Sequence, residues 1–344
     1  MLVRRVFILV TLLALIAAAS PPSAKAAGIS GAVIFSYSRF DDDRVPGGSI
    51  RVDQFEDHLD ELKDGDYTVL PLPQVVEALL TGGALPDKTV AITINEASQS
   101  VYRVAWPRLK AAGLPFTLFV ATDAVDAGLS GSMTWAQVRE LWKGGVTIGA
   151  LSASALPMAG RTPQEIQSDL ERMKERFKAE LGFVPALFAY PHGEYSLAVR
   201  RMIEQSGFRA AFGQQSGVAY AGADPLALPR FVMNDAFGTT DRFEMAADAL
   251  PLPAFDITPT EPVLSRNPPL LGFSVPDSLG NTLDHLACFA TGQGRAAVER
   301  LGSNRVEVRI AEAFPPGRAR VNCTLPAEDE RWRWFGVQFF IPEP

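Results

Sequence analysis

Two polar residues, Asn95 and Glu96, stand together where an apolar, β-branched run stops in the stretch TVAITINEAS (89–98). In α/β folds with parallel strands, function sits at the carboxyl ends of the strands, so this is a position where chemistry is expected. A carboxylate such as Glu96 could bind a metal ion, whereas Asn95 is a neutral amide that cannot take a proton near neutral pH. What the pair can do therefore depends on the elements that position it and on its partners.

Apolar runs with strand character alternate with amphipathic helical segments up to about residue 250. The runs that predict strands are 31–38, 89–94, 116–122, 146–151, 186–191 and 210–214. Helical periodicity lies between them, as in residues 51–63, and Thr162, Pro163 and Glu165 supply an N-cap, a first-turn proline and a capping-box acid for another helix. Hydrophobic strands alternating with helices predict a parallel sheet covered by helices, either a barrel or an open sheet.

The pattern changes after Leu250. Residues 251–268 are rich in proline and lack a helical period, which predicts a linker. Residues 269–344 contain short strand-like runs separated by turn residues, which predicts a small all-β, sandwich-like domain. The chain's two cysteines, Cys288 and Cys323, fall in two of these runs; in an exported protein they favour a disulfide, the alternative being two separate buried thiols.

Residues 1–26 have a short cationic head, an apolar run and small residues suited to a signal peptidase, which predicts a signal peptide and a periplasmic or secreted protein. An uncleaved anchor is the alternative, and no later stretch is apolar enough to span a membrane. Cleavage removes three of the 32 basic residues and none of the 39 acidic ones, so the net charge changes from -7 to -10. Such a surface is a poor partner for nucleic acid.

Three stretches of the region from about 31 to 250 carry a resemblance to a known family. The segment TINEA (93–97) is similar to T-F-D-D-G, LSASA (151–155) falls where H-[ST]-x-x-H is expected, and FAYPHGEYS (188–196) is similar to a third, groove-wall motif. In this register the region resembles the polysaccharide deacetylase family, the chitooligosaccharide deacetylase or nodulation-type homology domain. The resemblance implies a distorted (β/α) barrel that removes N- or O-acetyl groups from sugar polymers with a divalent, zinc-type metal.

The four chemical positions of these motifs depart from the family. The family's general base is replaced by Asn95, its metal-binding aspartate by Glu96, and its two metal-binding histidines by Leu151 and Ala155. Leu151 and Ala155 offer no lone pair, and Glu96 alone is a weak candidate ligand because catalytic zinc takes three protein ligands. The resemblance therefore implies a deacetylase site that has lost its base and its metal, with no cofactor expected.

Other residues near the predicted barrel mouth have both functional and purely structural interpretations. Ser38, in YSRF (37–40), stands where exported relatives often carry a histidine. Residues 41–43 are three aspartates that could bind calcium, or form a solvated loop. Trp135 begins a predicted helix near the same face. The stretch RWRWFGVQFF (331–340) could present one cationic and one aromatic face, or fill the core of the sandwich.

The third motif supplies the candidate groove residues. They are Tyr190, Pro191, His192, Gly193 and Tyr195. Because aromatic faces suit sugar rings, these residues favour glycan binding without hydrolysis, although core packing can also explain aromatic residues. His192 could act as an acid or base, or serve as a polar groove residue.

Three functional hypotheses follow. The first is an exported pseudoenzyme that binds acetylated glycans or acts as a scaffold. The second is an active carbohydrate deacetylase, a hydrolase of non-peptide C–N bonds, that uses displaced residues such as Glu96 with His192 or Asp41 to Asp43. The third is a secretion-assembly factor whose C-terminal domain binds a protein partner.

Overall fold

The computed structural model describes residues 29–42 and 47–343, so the predicted signal peptide and Asp43 lie outside the described residues. The strands of the first region are β1 (Gly31–Tyr37), β2 (Arg39–Phe40), β3 (Ser49–Ile50), β4 (Thr68–Val69), β5 (Thr89–Asn95), β6 (Phe116–Val120), β7 (Thr147–Ala150), β8 (Leu187–Ala189), β9 (Ala210–Phe212), β10 (Ala219–Tyr220) and β11 (Phe231–Val232). Its helices are α1 (Val52–Asp64), α2 (Leu72–Thr81), α3 (Trp106–Ala112), α4 (Thr122–Asp126), α5 (Trp135–Lys143), α6 (Pro163–Leu181), α7 (Leu197–Gln205) and α8 (Thr240–Ala247).

The main sheet is a curved, distorted (β/α) barrel, as predicted. Strands β1, β5, β6, β7, β8 and β9 follow one another and are all parallel. A bridge between Phe212 and Leu228 leads into β11, which pairs with β1 in parallel and so links the two ends of the curve. All six predicted strands are present, and α6 begins with the expected capping box between Thr162 and Glu165.

Alternation along the strands divides the apolar side chains into two layers. On β1, Val33 and Phe35 pack in the larger cluster with helix residues such as Phe55. Ala32 and Ile34 belong to a second cluster inside the curve of the sheet. Successive strand residues point to opposite faces, so β1, β5, β6, β8 and β9 each contribute to both layers. The polar residues of the site lie above the inner layer, where the strands end.

The C-terminal region is all-β. Its strands are β12 (Leu250–Pro251), β13 (Phe255–Thr258), β14 (Leu270–Ser274), β15 (Ala287–Ala290), β16 (Gly294–Leu301), β17 (Arg305–Arg309), β18 (Gly317–Pro326) and β19 (Trp332–Ile341), with a short helix α9 (Asp277–Gly280). They form one continuous sheet in the order β12-β19-β18-β15-β16-β17-β14-β13. Strand β16 pairs with β15 up to Ala296 and with β17 from Ala297, so the sheet turns there and encloses its own core.

The segment 251–268, predicted as a linker, contains β13 and the second residue of β12. Both are edge strands of the eight-stranded sheet. Proline lacks an N–H donor and is therefore tolerated at a sheet edge but not in a central strand, which explains how a proline-rich segment can still pair. The remaining domain boundaries stay predictions.

Cys288 and Cys323 form the predicted disulfide, with an S–S distance of 2.01 Å, and they are directly opposite each other on β15 and β18. The hairpin of β18 and β19 also packs on the barrel. Trp334 contacts Phe231 edge-on, with ring centroids 5.1 Å apart. None of the helices in the described part of the chain combines the length and apolar character needed to cross a membrane.

Candidate functional site

The first two motifs meet at the carboxyl end of β6. The Glu96 N–H donates to the Phe119 carbonyl at 2.9 Å, and the Leu151 N–H donates to the neighbouring Val120 carbonyl at 3.0 Å. The two positions therefore flank the end of one strand. The motif register read from the sequence had predicted that Glu96 and Leu151 lie close together, and the structure places both beside the end of β6.

Asn95 is buried, and its partner is an arginine that no motif indicated. Arg230 Nη1 donates to Asn95 Oδ1 at 3.0 Å and to Thr93 Oγ1 at 3.2 Å, while Arg230 Nε donates to the Gly213 carbonyl at 2.9 Å. Asn95 Nδ2 in turn lies 3.4 Å from Ser36 Oγ. These bonds fix the amide with its oxygen toward the arginine, so Asn95 has a structural role here and no proton to exchange.

Arg230 is a fully buried cation without a carboxylate partner among the described residues. Its guanidinium lies over the Phe119 and Phe212 rings, 5.4 and 6.0 Å from their centroids, and its Nη2 has no hydrogen-bond partner in the described part of the chain. Burial lowers the pKa of Arg230 to about 9. A buried charge is costly unless it is paired, so the site has an unbalanced positive charge beneath its mouth.

Glu96 has an ion-pair partner. Arg39 Nη2 is 2.7 Å from Glu96 Oε2, and Arg39 Nη1 is 3.2 Å from Asp42 Oδ2. The Glu96 side chain is 37% exposed, so the pair lies at the rim of the barrel. Arg39 therefore occupies the carboxylate that was the one candidate metal ligand of the first motif.

The second motif keeps a defined loop although its ligands are absent. The carboxylate of Asp169, on α6, accepts hydrogen bonds from the Ala153 and Ser154 N–H groups at 2.7 and 3.1 Å. Ser152 Oγ accepts from the Ala155 N–H at 3.0 Å. Leu151 is only 3% exposed and packs in the inner apolar cluster, and Ala155 packs against it. Apolar packing has replaced the ligand positions within an intact turn.

Backbone strain is concentrated at this mouth. Asp41, Glu96, Ser152, Ala155 and His192 all have positive φ, between 52° and 65°, and all follow barrel strands. Each such conformation costs roughly 1–3 kcal/mol in a non-glycine residue and persists only where the surrounding structure imposes it. The loops thus retain strained shapes typical of functional sites.

The donor set at these positions does not fit a divalent metal. Leu151 and Ala155 have no donor atom, Asn95 is bonded to Arg230, and Glu96 is bonded to Arg39. Within residues 29–42 and 47–343, no three His, Cys, Asp or Glu side chains are grouped so that they could hold a metal ion. Asp41 and Asp42 line a recess with Asp235 and Arg51, but the described acids give no calcium site.

The third motif divides into core and surface residues, and the groove assignment of Tyr190 is wrong. Tyr190 is 0% exposed, its hydroxyl donates to the Leu226 carbonyl at 2.9 Å, and its ring stacks on Tyr195 at 4.8 Å. The alternation after Phe188 explains this, because Phe188 and Tyr190 face the outer layer while Ala189 faces the inner one. A ring with no exposed face cannot stack on a sugar.

His192 is the exposed member of this motif, whereas Pro191 and Gly193 are buried. Burial of part of the ring and the nearby charge of Arg318 lower the pKa of His192, and Glu96 is close enough to act in the opposite direction. Its carbonyl accepts from Gln338 Nε2 at 3.0 Å. The structure therefore brings His192 together with Glu96 from the barrel and with Arg318 from the C-terminal sheet.

The remaining candidates have structural surroundings. Ser38 lies half-buried between β1 and β2. Trp135 is 8% exposed and its indole N–H donates to Asp126 at 2.7 Å. His58 is fully buried between the Tyr37 hydroxyl and the Gly238 carbonyl, and burial lowers its pKa to about 4, so it is a neutral core residue at neutral pH.

Comparison with known proteins agrees with this fold. Residues 82–211 match the model of the family described as polysaccharide deacetylase. This range contains all three motifs and ends within β9. This part of the chain is therefore similar to that family, as the motifs had implied. The solved deacetylase PplD of Streptococcus pyogenes and IcaB of Ammonifex degensii superpose with TM-scores of 0.58 and 0.57, at 20% and 23% identity. Each match covers 64% of this chain and 99% of the other, and at these identities it shows the fold alone.

Curated relatives point the same way. The chain is 28% identical over 187 residues to YxkH of Bacillus subtilis, a protein provisionally named polysaccharide deacetylase. It is 23% identical over 235 residues to the poly-β-1,6-N-acetyl-D-glucosamine N-deacetylase of Escherichia coli. The matches cover 54% and 56% of this chain but only 66% and 35% of those relatives.

Proposed function

We propose that this protein is an exported pseudoenzyme of the polysaccharide deacetylase family, which binds an acetylated glycan at the barrel mouth without hydrolysing it. The observation that carries the proposal is the replacement of the whole donor set within retained loops. Leu151 and Ala155 pack apolar side chains where the family holds its metal, and Arg39 and Arg230 hold Glu96 and Asn95. The strained loops around them keep the shape of a binding site.

The glycan class follows from the relatives. One is named for poly-β-1,6-N-acetyl-D-glucosamine, so polymers of N-acetylated sugars are the first ligands to test. Periplasmic or secreted location rests on the signal-like residues 1–26 and suits a polymer outside the cell. A protein partner for the C-terminal domain stays a separate prediction.

Acetate release and metal content provide the decisive test. Purified protein is incubated with zinc and N-acetylchitooligosaccharide, and acetate, bound metal and glycan affinity are measured. We expect glycan binding, no stoichiometric zinc and no acetate. Stoichiometric metal with turnover would overturn the pseudoenzyme proposal.

A restored variant checks the register. Asn95→Asp, Glu96→Asp, Leu151→His and Ala155→His are combined, and we expect the folded quadruple variant to bind zinc in equilibrium dialysis. The matched control keeps the two aspartate changes but leaves Leu151 and Ala155 unchanged, and should bind none because it offers too few ligands. A folded quadruple variant that stays free of zinc would mean that these four positions do not converge.

The alternative is acetyl hydrolysis by displaced residues, and it is favoured by the proximity of Glu96 to His192, which lets the carboxylate act to raise the pKa of the histidine. It predicts acetate release without added metal that is lost in both His192→Gln and Glu96→Gln. The pseudoenzyme proposal predicts no acetate from the wild type under the same conditions.

A further inference from the structure

One side of the barrel mouth carries arginines from both domains. Residues Arg318 and Arg320 lie on β18, where alternate residues Ala319, Val321 and Cys323 are buried in the C-terminal core. The two arginines therefore share the opposite face, which is turned toward the barrel. Arg242, on α8, completes the group, which we call the arginine side of the mouth.

Arg320 is joined to the mouth through neutral groups. Its Nε donates to Gln338 Oε1 at 2.9 Å, and its Nη2 lies 3.4 Å from Oε1 of Gln214, two residues beyond the end of β9. Gln338 in turn bonds the carbonyl of His192. Burial and the like charge of Arg318 lower the pKa of Arg320.

Arg242 has the same character. Its Nη1 donates to the carbonyls of Phe237 at 2.8 Å and of Val232, the last residue of β11, at 3.4 Å. Burial lowers the pKa of Arg242 to about 10, and Arg320 is close enough for its charge to act in the same direction. Neither arginine forms an ion pair with a carboxylate of residues 29–42 or 47–343; the oxygens that accept their hydrogen bonds belong to neutral amide and carbonyl groups.

Arg318 differs because it has one carboxylate partner, Glu194, at 3.1 Å. The arginine is 45% exposed, whereas the Glu194 side chain is 3% exposed and burial raises the pKa of its carboxyl. Arg318 therefore presents the outer part of its guanidinium to solvent beside His192.

Arginines on α6 of this acidic protein do pair with carboxylates. Arg172 and Arg176 on α6 pair with Asp123 and Asp126, at 3.0 and 2.6 Å. The net charge is -7, so the absence of described carboxylates around Arg242 and Arg320 is not due to a shortage of acids. Partly buried cations without counterions are costly and are therefore unusual unless something binds them.

We propose that the arginine side of the mouth binds oxyanion groups, carboxylate or sulfate, on an acidic glycan. The guanidinium fork matches such groups with two parallel hydrogen bonds, and an anion there would balance the charges of Arg242 and Arg320. Both domains would then contact one ligand, with Arg318 and Arg320 supplied by the C-terminal sheet. The inference rests on the proposed glycan-binding function and specifies the ligand's charge.

The test compares three oligosaccharides of equal length by calorimetry with the full chain. They are an oligogalacturonate, a sulfated oligosaccharide and neutral N-acetylchitooligosaccharide. We expect at least one acidic probe to bind about tenfold or more tightly than the neutral one, as charge-assisted hydrogen bonds allow. Added salt should weaken binding of the acidic oligosaccharides and leave binding of the neutral oligosaccharide unchanged.

Arg320→Gln is the diagnostic variant, and Arg333→Gln is its matched control. Arg333 lies on the same hairpin, opposite Leu325, and its Nη1 donates to the Pro251 carbonyl at 3.0 Å, far from the mouth. We expect Arg320→Gln to weaken acidic binding about tenfold or more and Arg333→Gln to leave it unchanged. Should Arg320→Gln fold poorly, Arg318→Gln combined with Glu194→Gln removes the exposed cation without leaving a buried carboxylate unpaired, and should also weaken the acidic arm.

The outcomes separate this inference from the proposed function. Equal affinity for neutral and acidic probes, or equal effects of Arg320→Gln and Arg333→Gln, overturns the acidic-glycan inference and leaves glycan binding intact. Absence of binding to all three probes by folded protein overturns both. The acidic oligosaccharide that binds more tightly identifies the group recognised, carboxylate or sulfate.

Discussion

The two motif positions at the end of β6 are held by the surrounding structure in different ways. On the first side, Asn95 and Glu96 stay polar and are held by arginines, with bonds of 3.0 and 2.7 Å. On the second side, Leu151 and Ala155 have joined the inner apolar cluster. Hydrogen bonds and an ion pair hold the first side, and apolar packing holds the second.

The difference shows which residue types each side of the site can accept. Arg230 is buried and keeps its need for an acceptor, so the residue at 95 must offer an oxygen whether or not it is a base. No such demand exists at 151, where the Asp169 carboxylate holds the loop through the backbone and leaves the side chain free to become apolar. Loss of a metal is thus compatible with an intact mouth.

The largest effect is expected on the packed side. Leu151→Ala should lower the free energy of unfolding by about 2–5 kcal/mol, because it opens a cavity in the inner cluster. Leu156→Ala, in the same loop but 46% exposed, is the control and should cost less than about 0.5 kcal/mol. Urea unfolding measures both, and a Leu151→Ala variant as stable as Leu156→Ala would show that Leu151 does not pack as described.

Two substitutions of Asn95, on the polar side, should change the free energy of unfolding by smaller amounts and in opposite directions. Asn95→Ala removes the acceptor of a buried cation and should lower the free energy of unfolding by about 2 kcal/mol. Asn95→Asp supplies Arg230 with a carboxylate and should raise it by about 1 kcal/mol at neutral pH. If Asn95→Asp destabilises as much as Asn95→Ala, then the charge of Arg230 is already balanced.

The sequence predicted the scaffold well because the signals there are local. Alternation of apolar strands with amphipathic helices located β1, β5, β6, β7, β8 and β9 but missed the short strand β4. The motif register placed 95, 96 and 151 around one strand end. Tyr190 was misassigned because the family motif outweighed the alternation of β8, which alone would have placed the ring in the core.

The partners of the site could not be predicted because they are distant in sequence. Arg230 is 135 residues from Asn95, and its short context, LPRF, gives no sign of burial. Arg318 and Arg320 reach the mouth through the packing of a second domain, which no periodicity specifies. The alternation GRARVNC (317–323) did contain a usable signal, since it places both arginines on the face opposite the cysteine.

The smallest change in the free energy of unfolding is expected for substitution of Glu96. Its size tests whether the polar side of the site is needed for stability. The Arg39–Glu96 pair is partly exposed, and Arg39 keeps Asp42 as a second partner, so Glu96→Gln should cost only about 0.5 kcal/mol. The exposed Arg108–Glu56 pair, at 2.8 Å, is the matched control, and Glu56→Gln should behave alike in urea unfolding. A cost for Glu96→Gln near that of Leu151→Ala would make Glu96 a structural residue. A small cost in the free energy of unfolding would mean that the fold does not need the Glu96 carboxylate. The carboxylate would then be available to bind a ligand at the mouth.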